Sequence, residues 1–132
     1  MKFLEYSDTL DTGVGAMNEE HKHLIGIMNK LHDQFEAKKD FNTLIATFND
    51  LANYTVKHFD DEEKYMASIN YPKLETHRGV HKNLLNQVMG FKKSFIAKQE
   101  ISPDIFPFLK TWLVSHIKGI DVQYGKHNQP TP

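Results

Sequence analysis

The chain has 132 residues, the length of a single domain, and its 39% hydrophobic and 25% charged residues are ordinary for a globular protein. Its formal net charge of −1 provides no field that would attract nucleic acid or an acidic membrane, so neither is an expected partner. Glu5 and Asp8 interrupt the opening segment where a signal peptide needs apolar residues, and no apolar run reaches membrane-spanning length, so we expect a cytoplasmic protein with no membrane insertion.

The first part of the chain does not have the pattern of a helix. Residues 1–17 contain turn-forming residues and no sustained hydrophobic period, which predicts an extended N-terminal arm. Asn18 is a favourable N-cap, and apolar residues then recur at helical spacing. The sequence therefore predicts that the first helix begins near Asn18.

Three further helices follow. The second begins at Asp40 or Asn42, Pro72 opens the third, and Ser102 with Pro103 forms the N-cap and first turn of the fourth. The four helices are predicted at about 18–38, 41–67, 72–98 and 103–125, with a tail at 126–132. Because short connections force neighbouring helices to run antiparallel, we expect an all-α, up-down-up-down four-helix bundle in one domain of residues 1–132.

The residue types narrow the kinds of site that the chain can hold. Cysteine is absent, which excludes disulfides, iron–sulfur clusters and thiolate zinc sites, so a tightly held metal would need imidazole and carboxylate ligands. The chain has eight histidines, some of them four residues from another histidine or an acidic residue. Chance alone produces about one histidine–carboxylate pair at this spacing, so spacing by itself does not identify a site.

Position in the bundle is more informative than spacing. In this topology the start of the first helix, the end of the second, the start of the third and the end of the fourth lie together. Five histidines and two carboxylates fall in those turns, and the histidines continue the apolar stripes of their helices. The predicted metal ligands are His21, His58, Glu62, His77, His81, His116 and Asp121. Burying seven such groups is costly without compensation, which two divalent metals would supply.

The remaining histidines are predicted to lie outside the site. His32 and Glu36 form a similar pair, but His32 lies about 16 Å beyond His21 along the helix axis and cannot share the same metals. We expect His32 to border the core and His23 and His127 to be solvated.

The last two predicted ligands have an unusual spacing. His116 and Asp121 are five residues apart, which on a regular α-helix places them about 140° from each other. Both can reach one metal pair only if the helix forms a π-type turn between them, a distortion that often marks functional sites. The sequence therefore predicts such a turn between residues 116 and 121.

Four segments of the chain, YSDTLDTGVGAMNEEHKHL, HFDDEE, HRGVH and WLVSHIKGID, together resemble the bacterial hemerythrins over nearly the whole length. Two departures are visible: Tyr6 stands where that family usually has tryptophan, and Met17 with Asn18 where it usually has isoleucine and aspartate. Neither affects a predicted ligand, so they concern the packing of the arm and the cap of the first helix.

The resemblance implies a centre of two iron ions. One iron would be bound by His77, His81 and His116, and the other only by His21 and His58. Bridges between the two irons would come from Glu62, Asp121 and an oxo or hydroxo group. One iron would then keep a vacant position, where dioxygen would bind.

The ligand set and the resemblance both favour reversible binding of dioxygen over oxygenation. Five neutral imidazoles with two carboxylates carry fewer anions than the four-glutamate sites of ferritin-like oxidases, and so stabilise high-valent iron less. We expect a protein that is not an enzyme and that stores, transports or delivers dioxygen, with any recipient enzyme unknown. A dry apolar pocket is expected at the vacant position, with Leu113 as its principal wall. The predicted lining is Leu24, Phe59, Trp112, Leu113 and Ile117.

Three alternatives stay open. The same position could serve a di-iron oxidase or a peroxide or nitric oxide reductase, with Tyr65 and Tyr124 as the nearest candidate proton donors. Ligand binding could instead be reported to a partner, as in an oxygen or redox sensor. The third alternative is a zinc-loaded structural bundle, which would leave the open position unused.

Overall fold

The computed structural model describes residues 3–127, with residues 122, 125 and 127 described by their backbone alone. Within this part of the chain the regular elements are helical, and no strand is present. The helices are α1, Gly15–Glu36; α2, Phe41–Ser68; α3, Leu74–Lys98; α4, Ile105–His116; and α5, Val122–His127. A π-turn, Ile117–Asp121, joins α4 to α5, so that the three form one continuous helix. The all-α four-helix bundle is thus confirmed, and no described helix is long and apolar enough to cross a membrane.

The start of α2 agrees with the prediction, whereas the start of α1 does not. Asp40 is the N-cap of α2 and its carboxylate accepts a hydrogen bond from the Thr43 amide at 2.9 Å. The prediction that Asn18 caps α1 was wrong, because the helix begins at Gly15 after Val14. Asn18 lies in the first turn instead, where its side chain bonds to residues of the arm.

The starts of the last two helices were predicted about two residues too early. Pro72 lies in a turn, and α3 begins at Leu74, whose amide bonds to the carbonyl of Tyr71 at 3.3 Å. Ser102 is not the N-cap of α4, and Pro103 lies in a turn before it. The bonds of this turn join residues three apart, a tighter winding than the α-helix, so the regular helix begins only at Ile105. Most of the predicted tail, 126–132, lies outside the described residues.

Apolar packing differs between the two ends of the bundle. The far end, formed by the α1–α2 and α3–α4 connections, is filled by a large apolar cluster rich in phenylalanine. Its ring pairs join neighbouring helices, such as Phe48 with Phe95 at 5.3 Å and Phe35 with Phe106 at 5.1 Å. The opposite end, which we call the site end, has a smaller buried cluster of Met17, Met66, Tyr71 and Tyr124. The short 3-10 turn Asp8–Leu10 of the predicted arm also belongs to the site end.

Candidate metal centre

All seven predicted ligands meet inside the bundle near the site end, and none of them is more than 5% exposed. They form two groups whose candidate ligand atoms lie within 4.8 Å of one another. The first group is His77, His81, His116, Glu62 and Asp121, and the second is His21, His58, Glu62 and Asp121. The two carboxylates therefore belong to both groups, while each histidine belongs to one.

The predicted π-turn is confirmed, and it explains how Asp121 reaches the centre. The turn spans Ile117–Asp121, directly after His116 at the end of α4. It brings Asp121 Oδ1 to 3.0 Å from His116 Nε2, although the two residues are five apart in the sequence. The wider winding cancels most of the angle that separates the two side chains on a regular helix.

Glu62 presents one carboxylate oxygen to each group. Its Oε1 lies 3.1 Å from His81 Nε2. Its Oε2 lies 3.3 Å from His58 Nε2 and 3.3 Å from His21 Nε2. Glu62 comes from α2, one turn after His58, so the i, i+4 spacing aims both side chains at the same point.

Asp121 is divided between the groups in the same way. Its Oδ1 lies 3.1 Å from His77 Nε2 and 3.0 Å from His116 Nε2, while its Oδ2 lies 3.1 Å from His21 Nε2. In each of the five histidines it is Nε2 that faces the carboxylates. The imidazole nitrogens and carboxylate oxygens thus come from several elements and surround two neighbouring points.

The ligand nitrogens and oxygens suit coordination of two cations better than they suit direct hydrogen bonds to one another. Glu62 Oε1 and both oxygens of Asp121 are buried and have no hydrogen-bond partner among the described residues. Two ligand atoms about 2.1 Å from one cation, at right angles, are about 3.0 Å apart, close to the nitrogen–oxygen separations found here. Buried carboxylates that lack donors need positive charge. The residues present therefore suit two metal ions that share both carboxylates.

The charges of the centre attract one another strongly. Burial lowers the pKa of His58, but the charge of Glu62 and the hydrogen bond to Glu20 outweigh it and raise the pKa to about 10. Burial raises the pKa of Glu62, yet the charge of His58 and the hydrogen bond from His21 hold it well below its usual range. The pKa of Asp121 is similarly lowered to about 2, against burial and the charge of Glu62, chiefly by His116. Both carboxylates are thus anionic at neutral pH, as metal ligands must be.

One histidine of the second group has a carboxylate partner outside the centre. Glu20 Oε1 accepts a hydrogen bond from His58 Nδ1 at 2.7 Å, which leaves Nε2 free to face the centre. Lys57 lies 3.5 Å from the other oxygen of Glu20 and is itself paired with Asp61 at 2.7 Å. Lys57, Glu20 and His58 therefore form a chain of polar contacts from the surface to the centre.

One histidine of the first group is held in the same way. Glu63 Oε2 accepts a hydrogen bond from His81 Nδ1 at 2.9 Å, and Glu63 Oε1 accepts one from Arg78 at 3.2 Å. Arg78 also pairs with Glu75. Neither Glu20 nor Glu63 was predicted from the sequence, although each is the direct neighbour of a predicted ligand. Their partners lie on other helices, so sequence spacing carries no signal for either pair.

Tyr124 also contacts the centre directly. Its hydroxyl donates a hydrogen bond to Glu62 Oε2 at 2.7 Å, and its side chain is fully buried. Burial and the nearby charges of Glu62 and Asp121 raise the pKa of Tyr124, so its hydroxyl stays protonated as a donor. The ring of Tyr65 lies 5.6 Å from that of Tyr124. Of the two tyrosines expected near the site, Tyr124 is thus bonded to a carboxylate of the centre.

The five side chains expected to form an apolar pocket are all buried in the large core cluster. Phe59 stacks flat on the ring of His81 with 3.8 Å between centroids, and its edge meets Trp112 at 6.0 Å. The exposed fractions of Leu24, Phe59, Trp112, Leu113 and Ile117 lie between 0% and 7%. The structure therefore places one of the five, Phe59, directly against a histidine of the centre.

Two other histidines lie outside both groups. The His32 ring stacks on Phe3 at 4.8 Å and meets the edge of Phe106 at 4.9 Å, toward the far end of the bundle. It also lies 3.6 Å from Glu36, as the sequence pairing suggested. His23 is exposed and packs against Tyr54. Both agree with prediction, while the side chain of His127 lies outside the described residues.

Comparison with known families gives one match that spans most of the chain. The family described as "Hemerythrin HHE cation binding domain" matches residues 12–126. This range contains all seven candidate ligands and ends inside α5.

Individual relatives and solved structures agree with the family match. The chain is 32% identical to the bacteriohemerythrin of Methylococcus capsulatus over 115 residues, covering 86% of this chain and 87% of that protein. It is 27% identical to the bacteriohemerythrin of Pseudomonas aeruginosa strain PAO1 over 124 residues, 94% of this chain and 80% of the relative. The crystal structure of a leucine-to-alanine variant of hemerythrin superposes with a TM-score of 0.89 and 29% identity, covering 96% of this chain and 98% of the other.

Proposed function

The chain belongs to the hemerythrin family, and from that premise we propose that it binds dioxygen reversibly at a di-iron centre, for storage, transport or delivery. The observation that carries the proposal is the unequal sharing of ligands. Two carboxylates serve both groups, but three histidines belong to one group and only two to the other. The group with fewer imidazoles is the one that would keep a position open for a small ligand.

The contacts of the centre support a division of the ligands between two irons. His77, His81 and His116 would hold one iron, and His21 and His58 the other. Glu62 and Asp121 would bridge the pair, since each presents one oxygen to each group. An oxo or hydroxo group from solvent would complete the bridge. Two bound irons would supply the two electrons that dioxygen takes up on binding.

The chain's own residues then favour binding over further chemistry. Five neutral imidazoles and two carboxylates supply little negative charge to stabilise high-valent iron, in contrast to the carboxylate-rich sites of oxidases. Leu24, Phe59, Trp112, Leu113 and Ile117 would exclude water and protons from the open position. Tyr124 is the candidate proton donor nearest the centre, but its hydroxyl is engaged by Glu62. We therefore propose a binding protein and not an enzyme.

One experiment tests the proposal directly. The iron-loaded protein is reduced without oxygen, exposed to air, and returned to an oxygen-free atmosphere while its visible spectrum is recorded. We expect the spectrum of the oxygenated form to appear and then to reverse over several cycles. An irreversible change with net consumption of oxygen would favour an oxidase, and a silent spectrum with zinc found by elemental analysis would contradict the iron centre.

A further inference from the structure

The five candidate histidines differ in what their second ring nitrogen, Nδ1, contacts. In two of them Nδ1 donates a hydrogen bond to an outer glutamate. In the other three, His21, His77 and His116, Nδ1 is buried and has no hydrogen-bond partner among the described residues. A histidine that binds metal through Nε2 carries its proton on Nδ1 and normally donates it to an acceptor. Three of the histidines therefore lack the acceptor that their role as ligands calls for.

Of these three, His77 lines a cavity at the site end. The cavity has a volume of about 210 Å³ and lies between the start of α3 and the segment formed by the π-turn and α5. The two nitrogens of an imidazole point in nearly opposite directions, and Nε2 of His77 faces Asp121 at 3.1 Å. Nδ1 is thus turned away from the centre. The side chains that share the cavity wall with His77 include the polar Lys73, Thr76 and Gln123 and the apolar Val80 and Ile120.

Lys73 brings a positive charge to this cavity. It lies one helical turn before His77, whose amide bonds to the Lys73 carbonyl at 3.0 Å. Its ammonium is 3.5 Å from the neutral Oε1 of Gln123, and it forms no ion pair with another described residue. Its charge is therefore available to an anion in the cavity.

The outer glutamates show what is missing at His77. Each of them lies between an imidazole of the centre and a cation at the surface. Glu20, for example, bonds to His58 at 2.7 Å and lies 3.5 Å from Lys57. Around His77 the imidazole and the cation, Lys73, are present, but no described carboxylate lies in the cavity wall. A carboxylate from outside the chain would complete the same order of groups.

We propose that this cavity binds a short-chain monocarboxylate, which accepts a hydrogen bond from His77 Nδ1, pairs with Lys73 and packs its alkyl group on Val80 and Ile120. The volume equals that of about seven water molecules at about 30 Å³ each, which admits a molecule the size of acetate or propionate. An acceptor at Nδ1 orients a metal-binding imidazole and raises its basicity, so the bound carboxylate strengthens the hold of His77 on the metal. The inference rests on the proposed function only in that the centre binds metal, and it adds a route by which a small molecule regulates the centre.

The first test uses acetate as the probe and measures the rate at which ferrous iron is lost to a chelator, with oxygen excluded. We expect saturating acetate to slow the release about tenfold, the size typical of an outer partner of a metal ligand. Chloride at the same ionic strength should have little effect, because it has no second oxygen to bridge His77 and Lys73. An unchanged rate with acetate would overturn the site, and an equal effect of chloride would overturn its assignment to a carboxylate.

Two lysine variants test whether acetate acts through the cavity. Lys73→Met keeps the alkyl stem and removes the charge, so the acetate concentration for half the effect should rise about tenfold. Lys93→Met is the matched control, an exposed lysine of the same helix about 30 Å farther along its axis at about 1.5 Å per residue. It should respond to acetate as the unaltered protein does. Acetate bound at the open metal position instead would act equally in both variants, which would overturn the proposal.

The second test locates the bound acetate by nuclear magnetic resonance. Zinc replaces iron in this measurement, because zinc ions are diamagnetic and fit the same imidazole and carboxylate ligands. We expect nuclear Overhauser effects between the acetate methyl protons and the side-chain methyl groups of Val80 and Ile120. Absence of these effects at saturating acetate, or effects to Leu113 in their place, would contradict the assignment of the cavity.

Two features of the design keep the outcomes distinct. Circular dichroism at matched temperature verifies that each variant keeps its helix content, so that a change in release rate is not simple unfolding. Both tests use metal without oxygen. A protein that responds to acetate but fails the oxygen cycle would retain this inference and refute oxygen binding, and the reverse result would do the opposite.

Discussion

The two ends of the bundle bury opposite kinds of side chain at similar depth. The far end packs phenylalanine and leucine from all four helices, including Phe48, Phe95 and Phe106. The site end buries five histidines, a glutamate and an aspartate, with a much smaller apolar cluster around Tyr124. Burial stabilises the far end directly, because apolar surface leaves water. At the site end the same burial is costly until positive charge compensates the carboxylates.

Folding stability and metal binding are therefore expected to depend on different ends of the bundle. The far end is expected to fold the chain whether or not metal is present, while the site end is expected to reach its final order only with metal bound. The 3-10 turn of the arm, the π-turn and the outer glutamates, Glu20 and Glu63, all lie at the site end, where the added support is needed. Variants that affect one end and spare the other should therefore give different measurements.

Removal of iron is expected to have the largest effect. If free iron exceeds its dissociation constant about a thousandfold, binding stabilises the folded protein by about 4 kcal/mol per site, and chelation removes that contribution. Thermal unfolding of the iron-loaded and iron-free protein measures the difference. Identical unfolding midpoints would mean that the site end is stable without metal.

Phe48→Ala is expected to destabilise the far end while sparing the centre. Phe48 is fully buried and its ring meets Phe95, so truncation should lower the free energy of unfolding by about 3–5 kcal/mol. Denaturant unfolding measures this loss, and iron analysis of the folded fraction should still give two irons per chain. A reduced iron content in the folded fraction would show that the two ends are not separable.

Leu113→Thr should reveal whether the apolar wall protects bound oxygen. Both Leu113 and its control Leu109 are buried on α4, one turn apart, so the same substitution buries a hydroxyl at a cost of about 1–3 kcal/mol in each. Only Leu113→Thr should accelerate decay of the oxygenated spectrum, on the order of tenfold, because it admits water to the open position. Equal decay in the two variants would remove Leu113 from the pocket.

Loss of the outer carboxylates is expected to weaken each group of ligands separately. Glu20→Ala frees His58, and Glu63→Ala frees His81, so each should lower iron affinity by about 10-fold or more without unfolding the protein. Glu75→Ala is the control, since Glu75 is exposed and pairs only with Arg78 in the described ion pairs. Competitive chelator titration measures all three. An affinity unchanged in both outer variants would show that the imidazoles are oriented by packing alone.

The N-cap at the far end should give the smallest effect. Hydrogen bonding to Thr43 lowers the pKa of Asp40, so its contribution to stability is present above the unfolded pKa and is lost as pH falls through the folded value. Asp40→Ala should lower the thermal midpoint at neutral pH by only a few degrees, about the effect of one lost cap, and the difference should vanish in acid. A difference that grows in acid would contradict this role.

Much of the fold and of the centre was predictable, for a physical reason that particular residues show. The convergence of His21, His58, His77 and His116 followed from depth in an antiparallel bundle, and the π-turn followed from the spacing of Asp121. Both depend on helix geometry, which sequence encodes regularly. The cap at Asp40 was correct because its bond is local.

The features that the sequence did not predict depend on contacts between different structural elements. Asn18 has the chemistry of a cap, but its amide bonds to the arm, and the helix begins three residues earlier. Glu20 and Glu63 were missed because their histidine partners lie 38 and 18 residues away. Such pairs depend on how two helices cross, which the hydrophobic periodicity of a single helix does not predict.

The π-turn lengthens the chain between two of the candidate ligands. It uses one residue more than a regular helix needs between His116 and Asp121, and Gly119 within it is exposed with open space around it. A chain without Gly119 would hold the histidine and the aspartate four residues apart, the spacing of His58 with Glu62 and of His77 with His81. Deletion of Gly119 is therefore expected to place both side chains on one face of a regular fourth helix that is one residue shorter.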